Sequence, residues 1–92
     1  MYEVISSKQY RKSLKRLVRS GSFNFETLDM VINLIRAGAT LEPKYRNHPL
    51  QGEYAGCCEC HIKNNLLLIY EIDKPAKKLI VINIGSHAEL FE

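Results

Sequence analysis

The stretch LLLIYEI, residues 66–72, constrains the fold more than any other part of the chain. Residues 66–70 are apolar without interruption, as is typical of a strand buried on both faces in the middle of a sheet. Short polar connections at residues 63–65 and 73–77 separate it from an alternating segment, residues 54–62, and from a third apolar run, residues 78–86. Connections this short join antiparallel neighbours, so the sequence predicts a meander of three strands.

The N-terminal part predicts a strand followed by two helices. Residues 2–6 form a short strand, and Ser7 and Asn24 are placed to cap helices over residues 8–19 and 25–36. The break at residues 20–24 contains Gly21, and Gly38 follows the second helix, as suits helix ends. The residues predicted to face the core are Tyr10, Leu14, Leu17, Val18, Phe25, Leu28, Val31, Ile32 and Ile35.

These elements predict an α+β fold of order β-α-α-β-β-β, with a helical hairpin packed on one face of an antiparallel sheet. A chain of 92 residues has room for one modest core, so we expect a single domain over residues 1–92. Residues 39–56 lack periodicity and contain two prolines and two glycines, which predicts a long loop; loops of this length in small domains are often functional.

Positive charge is concentrated in the first half of the chain. Residues 1–46 carry nine Lys and Arg against four Asp and Glu, whereas residues 47–92 carry four against six. Much of the excess forms a stripe on the first helix, and it is open to three interpretations: a solvated face, contact with RNA phosphates, or docking of an acidic protein. We expect a cytoplasmic protein without a membrane segment, because no signal peptide or long apolar run is present.

Three cysteines and a histidine fall within residues 57–61. Zinc sites usually need four ligands in two pairs, and the sequence offers a single Cys-x-x-Cys spacing. On a strand, alternation sends Cys58, Cys60 and Ile62 to one face and sends Cys57, Glu59 and His61 to the other. We therefore expect reduced, mostly buried thiols, with no metal and no cofactor, and metal binding remains a minor alternative.

Two histidines come out at the same edge of the predicted meander, because His61 and His87 both lie where their strands end, with Asn65 in the turn between them. Imidazoles in general titrate near neutral pH, and two such groups around a gap suit acid and base catalysis. The alternative is that each histidine is simply a polar residue at a strand end.

The segments HPLQGEYAG, CHIKNNLLLIYEI and GSHAELF resemble the YafQ branch of the RelE/ParE superfamily of bacterial type II toxins, over residues 47–91. The resemblance implies a RelE-like fold and ribosome-dependent cleavage of mRNA without a metal. It identifies His87 and His48 as the acid and base pair, supported by His61 and Glu59. Asn65 stands where the family usually has Asp, and Phe91 is an aromatic that can stack on a base.

The same resemblance implies an RNA-binding surface and a set of partners. The predicted RNA-binding residues are Lys44, Arg46, Lys63 and Tyr54. The expected partners are a cognate acidic antitoxin of the DinJ/RelB kind, the ribosome with its mRNA, and operator DNA through the antitoxin complex alone. Because Asn65, Ala55 and Cys58 replace charged residues of relatives, a catalytically weak protein that acts by binding the antitoxin is the alternative. Gyrase inhibition is less expected because the histidines are present.

Overall fold

The computed structural model describes residues 1–21 and 23–91. Its strands are β1 (Glu3–Ser6), β2 (His48–Pro49), β3 (Cys58–Lys63), β4 (Leu66–Asp73) and β5 (Lys78–Gly85). Its helices are α1 (Lys8–Arg19), α2 (Phe25–Arg36) and α3 (His87–Phe91). The predicted α+β class is confirmed, and Ser22, within the predicted break between the helices, lies outside the described residues.

The five strands form one sheet in the order β1-β5-β4-β3-β2. The predicted meander is confirmed, since β4 pairs antiparallel with both β3 and β5. β1 runs parallel to β5 at one edge, as the helical hairpin returns the chain to the far side of the sheet. The two-residue strand β2 forms the other edge, where His48 pairs with Glu59.

The helix ends follow the signals read from the sequence. Ser7 Oγ accepts the N–H of Tyr10 at 3.0 Å, and Asn24 Oδ1 accepts the N–H of Glu26 at 2.7 Å, so both predicted caps are confirmed. Gly21, just past the end of α1, has φ +80°, a left-handed conformation that glycine adopts without strain.

Both faces of the sheet are covered, as the apolar run in β4 predicts. Leu68 and Tyr70 face the helical hairpin, whereas Leu67 and Ile69 face a smaller cluster on the other side. The buried residues of the larger cluster are Tyr10, Leu28, Val31, Ile35, Leu41, Tyr45, Cys60, Ile62, Leu68, Tyr70, Leu79, Val81 and Ile84. The smaller cluster buries Cys57, Leu67, Ile69 and Leu90, with Leu50, Tyr54, Ile82 and Phe91 packed against it.

Three boundaries differ from the sequence-based expectation. Residues 54–57 are not part of β3: a 3₁₀ turn at Gly52–Tyr54 and a left-handed Gly56 (φ +92°) precede the strand. The loop of residues 39–56 also contains a 3₁₀ turn at Pro43–Tyr45 and strand β2. His87 does not end a strand, because it begins α3.

Two predicted core residues are exposed. Val18 is 47% exposed, because the buried face of α1 includes Ser13 and is centred about 100° around the helix from Val18. Ser13 is buried as it donates a hydrogen bond to Asn83 Oδ1 at 2.7 Å. Phe25, at the first turn of α2, is 43% exposed and packs edge-on against Phe23.

The helices within residues 1–21 and 23–91 are too short or too polar for any of them to cross a membrane.

Candidate functional site

A buried carboxylate joins two of the predicted catalytic histidines. Glu59 Oε1 lies 3.3 Å from His61 Nε2 and 3.6 Å from His48 Nε2. The Glu59 side chain is only 7% exposed, whereas the His61 and His48 side chains are 22% and 48% exposed. The pairing of β2 with β3 sets His48 opposite Glu59, and His61 follows two residues along the same face. A carboxylate this buried needs such partners to offset its loss of hydration.

The ring of His48 is oriented by the backbone of the loop before it. His48 Nδ1 lies 2.6 Å from the carbonyl oxygen of Arg46. Because a carbonyl oxygen only accepts, Nδ1 carries the proton in this contact, and Nε2 is the nitrogen that faces Glu59. Arg46 is in the left-handed region (φ 47°, ψ 43°), which is uncommon for a residue with a side chain and is often found at functional sites.

The same loop is fixed to the core by one side-chain hydrogen bond. The hydroxyl of Tyr70, in the central strand β4, donates to Asn47 Oδ1 at 2.6 Å. Burial is the main cause that raises the pKa of Tyr70, so this hydroxyl stays protonated and acts as a donor. The residue before His48 is therefore held by the middle of the sheet.

His87 is held by the start of α3 rather than by a strand. Ser86 and Glu89 form a capping box: Glu89 Oε1 accepts the N–H of Ser86 at 2.8 Å, and Ser86 Oγ accepts the N–H of Glu89 at 3.2 Å. Asn65 Oδ1 accepts the N–H of His87 at 3.3 Å. The hydrogen bond from Ser86 N–H lowers the pKa of Glu89, as does Arg16, which lies 3.2 Å away.

An aromatic pair, Phe91 and Tyr54, extends from the ring of His87. The ring of Phe91, one turn along α3, lies 5.0 Å from the His87 ring. The ring of Tyr54 in turn meets the Phe91 ring edge-on at 5.8 Å. The predicted site residues His87, Phe91, Asn65 and Tyr54 are thus brought together around α3.

A cationic groove of about 530 Å³ lies beside His61. Three of the four predicted RNA-binding residues, Lys44, Arg46 and Lys63, line it. Tyr54 does not, because the Gly52–Tyr54 turn carries it to the α3 side. The wall on the side of α2 is formed by Thr27 and Met30, and Met30 is 45% exposed.

The cysteines pack as the alternation of β3 predicts. Cys60 is fully buried and Cys58 packs against the larger cluster, whereas Cys57 belongs to the smaller cluster on the other face. All three are free thiols. Burial is the main cause that raises the pKa of Cys60 to about 12. Within residues 1–21 and 23–91, no three His, Cys, Asp or Glu side chains form a group that could hold a metal ion.

Three contacts of the site escaped sequence reasoning. The hydrogen bond from Tyr70 to Asn47 and the contact of His48 with the Arg46 carbonyl depend on how the loop folds back on the sheet. The capping box left a readable signal, because Ser86 and Glu89 are spaced as Ser-x-x-Glu.

Solved structures of bacterial toxins share this architecture. A metal-bound toxin from Helicobacter pylori is 40% identical and superposes with a TM-score of 0.92, with 99% of this chain and 100% of that chain covered. The toxin in the DinJ-YafQ complex of Escherichia coli is 28% identical with a TM-score of 0.85, and both chains are fully covered. Fold and sequence together therefore place the chain in the class of bacterial toxins.

The sequence comparisons narrow the class to one family. The mRNA interferase toxin YafQ of Escherichia coli strain K12 is 31% identical over 85 residues, which cover 92% of this chain and 90% of that protein. The family model described as the bacterial toxin of type II toxin-antitoxin system, YafQ, matches residues 2–92. The chain belongs to the YafQ family of bacterial type II toxins.

Proposed function

We propose that the chain is the toxin of a type II toxin-antitoxin pair and cleaves mRNA on the ribosome by metal-independent acid and base catalysis. The observation that carries this proposal is the Glu59 carboxylate between His48 and His61. It lies beside a groove that is lined by three basic side chains. The relative from Escherichia coli is named an mRNA interferase, which supports the same activity here.

The reaction is the transfer of the phosphoryl group to the neighbouring ribose hydroxyl. The 2′-oxygen attacks the adjacent phosphorus in line and gives its proton to a base, and the bond from phosphorus to the 5′-oxygen breaks as an acid protonates that oxygen. The products are a 2′,3′-cyclic phosphate and a 5′-hydroxyl. His87 and His48 form the acid and base pair, and His61 with Glu59 supports them.

The remaining residues bind and orient the RNA. Lys44, Arg46 and Lys63 face the phosphates in the groove, and His61 borders the same groove. The cationic side chains also stabilise the charge that builds up on the phosphorane. Phe91 and Tyr54 stack on bases, and Asn65 holds the backbone of His87 through its amide oxygen.

Cleavage is tested on translating ribosomes. The purified protein is freed of bound metal with a chelator, which is then removed so that the ribosomes keep their magnesium. Primer extension should reveal new mRNA ends, and these should be 5′-hydroxyls that ligate only after phosphorylation. His87→Ala and His48→Ala should each lower the rate by about 10²- to 10⁴-fold. Intact mRNA with well-folded wild-type protein would overturn the proposal.

The second part of the proposed function is binding of a cognate antitoxin, an acidic protein of the DinJ/RelB kind. The observation that favours it is the outer face of α1, where four basic side chains line a shallow surface together with Leu14 and the exposed Val18. Those side chains are Lys8, Arg11, Lys12 and Lys15. The related toxin of Escherichia coli is found in complex with DinJ. We propose that this chain contacts operator DNA only through the complex with its antitoxin.

Charge reversal separates antitoxin binding from cleavage. Lys12→Glu combined with Lys15→Glu should weaken the complex with the acidic product of a neighbouring reading frame, while mRNA cleavage is retained. His87→Ala should do the opposite. If wild type and His87→Ala inhibit growth equally, or neither inhibits it, the protein acts by binding alone.

A further inference from the structure

A second cavity lies where the Gly52–Tyr54 turn meets α3. Its volume is about 380 Å³, and it is lined by Gln51, Glu53, Tyr54, Leu90 and Phe91. The proposed mechanism uses the two rings for stacking but gives no role to Gln51 or Glu53.

The aromatic wall of this cavity is continuous with the site of chemistry. Tyr54 and Phe91 meet edge-on with an interplanar angle of 83°, and Phe91 also touches the ring of His87. A flat group that enters the cavity is therefore separated from His87 by one aromatic ring. Base stacking on aromatic side chains is the common way in which proteins hold unpaired RNA bases.

The polar rim has the opposite charge from the groove beside His61. Among the described residues that line the cavity, Glu53 alone carries a charge, and it is negative. A carboxylate repels a phosphate, so the RNA backbone does not belong here. It accepts hydrogen bonds from N–H groups, which bases present on their Watson–Crick edges.

The backbone holds this rim in place before any ligand arrives. Gly52 has φ +68°, and the turn that it begins is closed by the N–H of Ala55, which donates to the Gly52 carbonyl at 3.0 Å. The N–H of Cys57 donates to the Tyr54 carbonyl at 2.9 Å, and Cys57 is buried in the smaller cluster. Gln51 precedes this turn and Glu53 lies within it, so both belong to a segment that is anchored to the sheet.

We propose that this cavity is a nucleobase subsite in which Tyr54 and Phe91 hold one base next to the cleaved phosphate and Glu53 selects guanine. Guanine presents N1–H and N2–H side by side, so it matches both carboxylate oxygens of Glu53. Adenine and cytosine offer one amino group beside an acceptor, and uracil offers one N–H between two carbonyl oxygens that the carboxylate repels. The proposal deepens the proposed function and rests on it for the position next to the cut.

Binding of mononucleotides tests the subsite without depending on cleavage. Guanosine and uridine monophosphates are titrated separately into the isotope-labelled full chain and followed by NMR. Guanosine monophosphate should shift the amide signals of residues 51–54 and 90–91 and bind at least about fivefold more tightly than uridine monophosphate. Glu53→Gln should abolish the difference, and Glu3→Gln, an exposed carboxylate on β1, should retain it. Equal binding of the two nucleotides by the wild type overturns the subsite.

Sequencing of cut sites places the subsite relative to the cleaved bond. Wild type and Glu3→Gln should show guanine enriched at one position adjoining the cut, and Glu53→Gln should lose that enrichment by about tenfold while it continues to cut. Unchanged base frequencies for Glu53→Gln overturn the inference and leave the proposed function standing. Selective binding of guanosine monophosphate by a chain that cuts no mRNA supports the subsite and overturns the proposed function.

Discussion

The side-chain oxygen of Asn65 accepts the backbone N–H of His87 at 3.3 Å, which joins the turn between β3 and β4 to the first residue of α3. An uncharged amide is sufficient for this contact, because only an acceptor is required. We therefore propose that Asn65 positions His87 through its amide oxygen, a role that requires neither a charge nor a proton.

The contact predicts different results for two substitutions of Asn65. Asn65→Ala removes the acceptor, and the loss of alignment at His87 should lower cleavage by about 10- to 100-fold. Asn65→Asp keeps an acceptor oxygen and adds a negative charge at the first turn of α3, so it should retain wild-type activity. Single-turnover cleavage of ribosome-bound mRNA measures both variants.

Because Asn65 is exposed, the free energy of unfolding of both variants should also lie within about 1 kcal/mol of the wild-type value. A loss of activity in Asn65→Asp as large as in Asn65→Ala would show that the amide nitrogen, rather than the oxygen, matters.

Replacement of Glu59 should affect two histidines together. Glu59→Gln preserves the volume of the side chain but removes the charge that His48 and His61 share. Cleavage should fall by about 10²-fold, because both imidazoles lose the carboxylate that orients them. The NMR signals of the His48 and His61 rings should both move, and that of His87 should stay in place.

Glu3→Gln, on the edge strand opposite β2, is the matched control for Glu59→Gln and should leave all three ring signals and the rate unchanged. If only one ring signal moves in Glu59→Gln, the carboxylate does not bridge the two histidines in solution.

The sequence predicts the elements that repeat a pattern over several residues. The apolar run of β4 and the stripes of α1 and α2 identify the sheet and the hairpin, and Ser7 and Asn24 mark the helix starts. The alternation of β3 separates Glu59 and His61 from Cys58 and Cys60, so the sequence predicts that Glu59 and His61 lie on the same face of the sheet.

The elements that the sequence does not predict are short, or they form only when the loop of residues 39–56 is folded. α3 has five residues, too few for a periodic stripe, and β2 has two. The exposure of Val18 depends on Ser13, whose burial requires Asn83 from a strand 70 residues away. The proximity of His48 to Glu59 arises only once the loop of residues 39–56 folds back as an extra strand, so sequence spacing gives no indication of it.

The capping box at α3 predicts a pH dependence of stability. The hydrogen bonds of Glu89 with Ser86 and the charge of Arg16 lower the pKa of Glu89 in the folded chain. The stabilisation that the Glu89 carboxylate contributes is therefore fully present above the ordinary glutamate pKa of 4.5. It is lost as the pH falls through the lower, folded value. Wild type should therefore exceed Glu89→Gln in the free energy of unfolding at pH 7, by less than about 1 kcal/mol at this exposed position, and the difference should vanish in strong acid.

Urea unfolding of the two proteins between pH 2 and pH 7 measures this difference. Glu42→Gln is the control, since that carboxylate pairs only at 4.0 Å with Lys44. A difference that stays constant with pH would mean that Glu89 acts through packing and not through its charge.

The three thiols should react with maleimide at very different rates in the folded protein. Cys60 is fully buried, and its pKa of about 12, against an ordinary value of 9.0, leaves about 10³-fold less thiolate. Cys57 is buried at 9% exposure and its pKa is raised as well, whereas Cys58 is half-buried. We expect Cys58 to be labelled first, then Cys57, and Cys60 only after unfolding. Peptide mass spectrometry of samples labelled at pH 8 measures this order, and a sample that is fully labelled in guanidinium chloride serves as the reference. Labelling of Cys60 at the rate of Cys58 would mean that β3 opens readily, and Glu59 and His61 would then lie on a mobile strand.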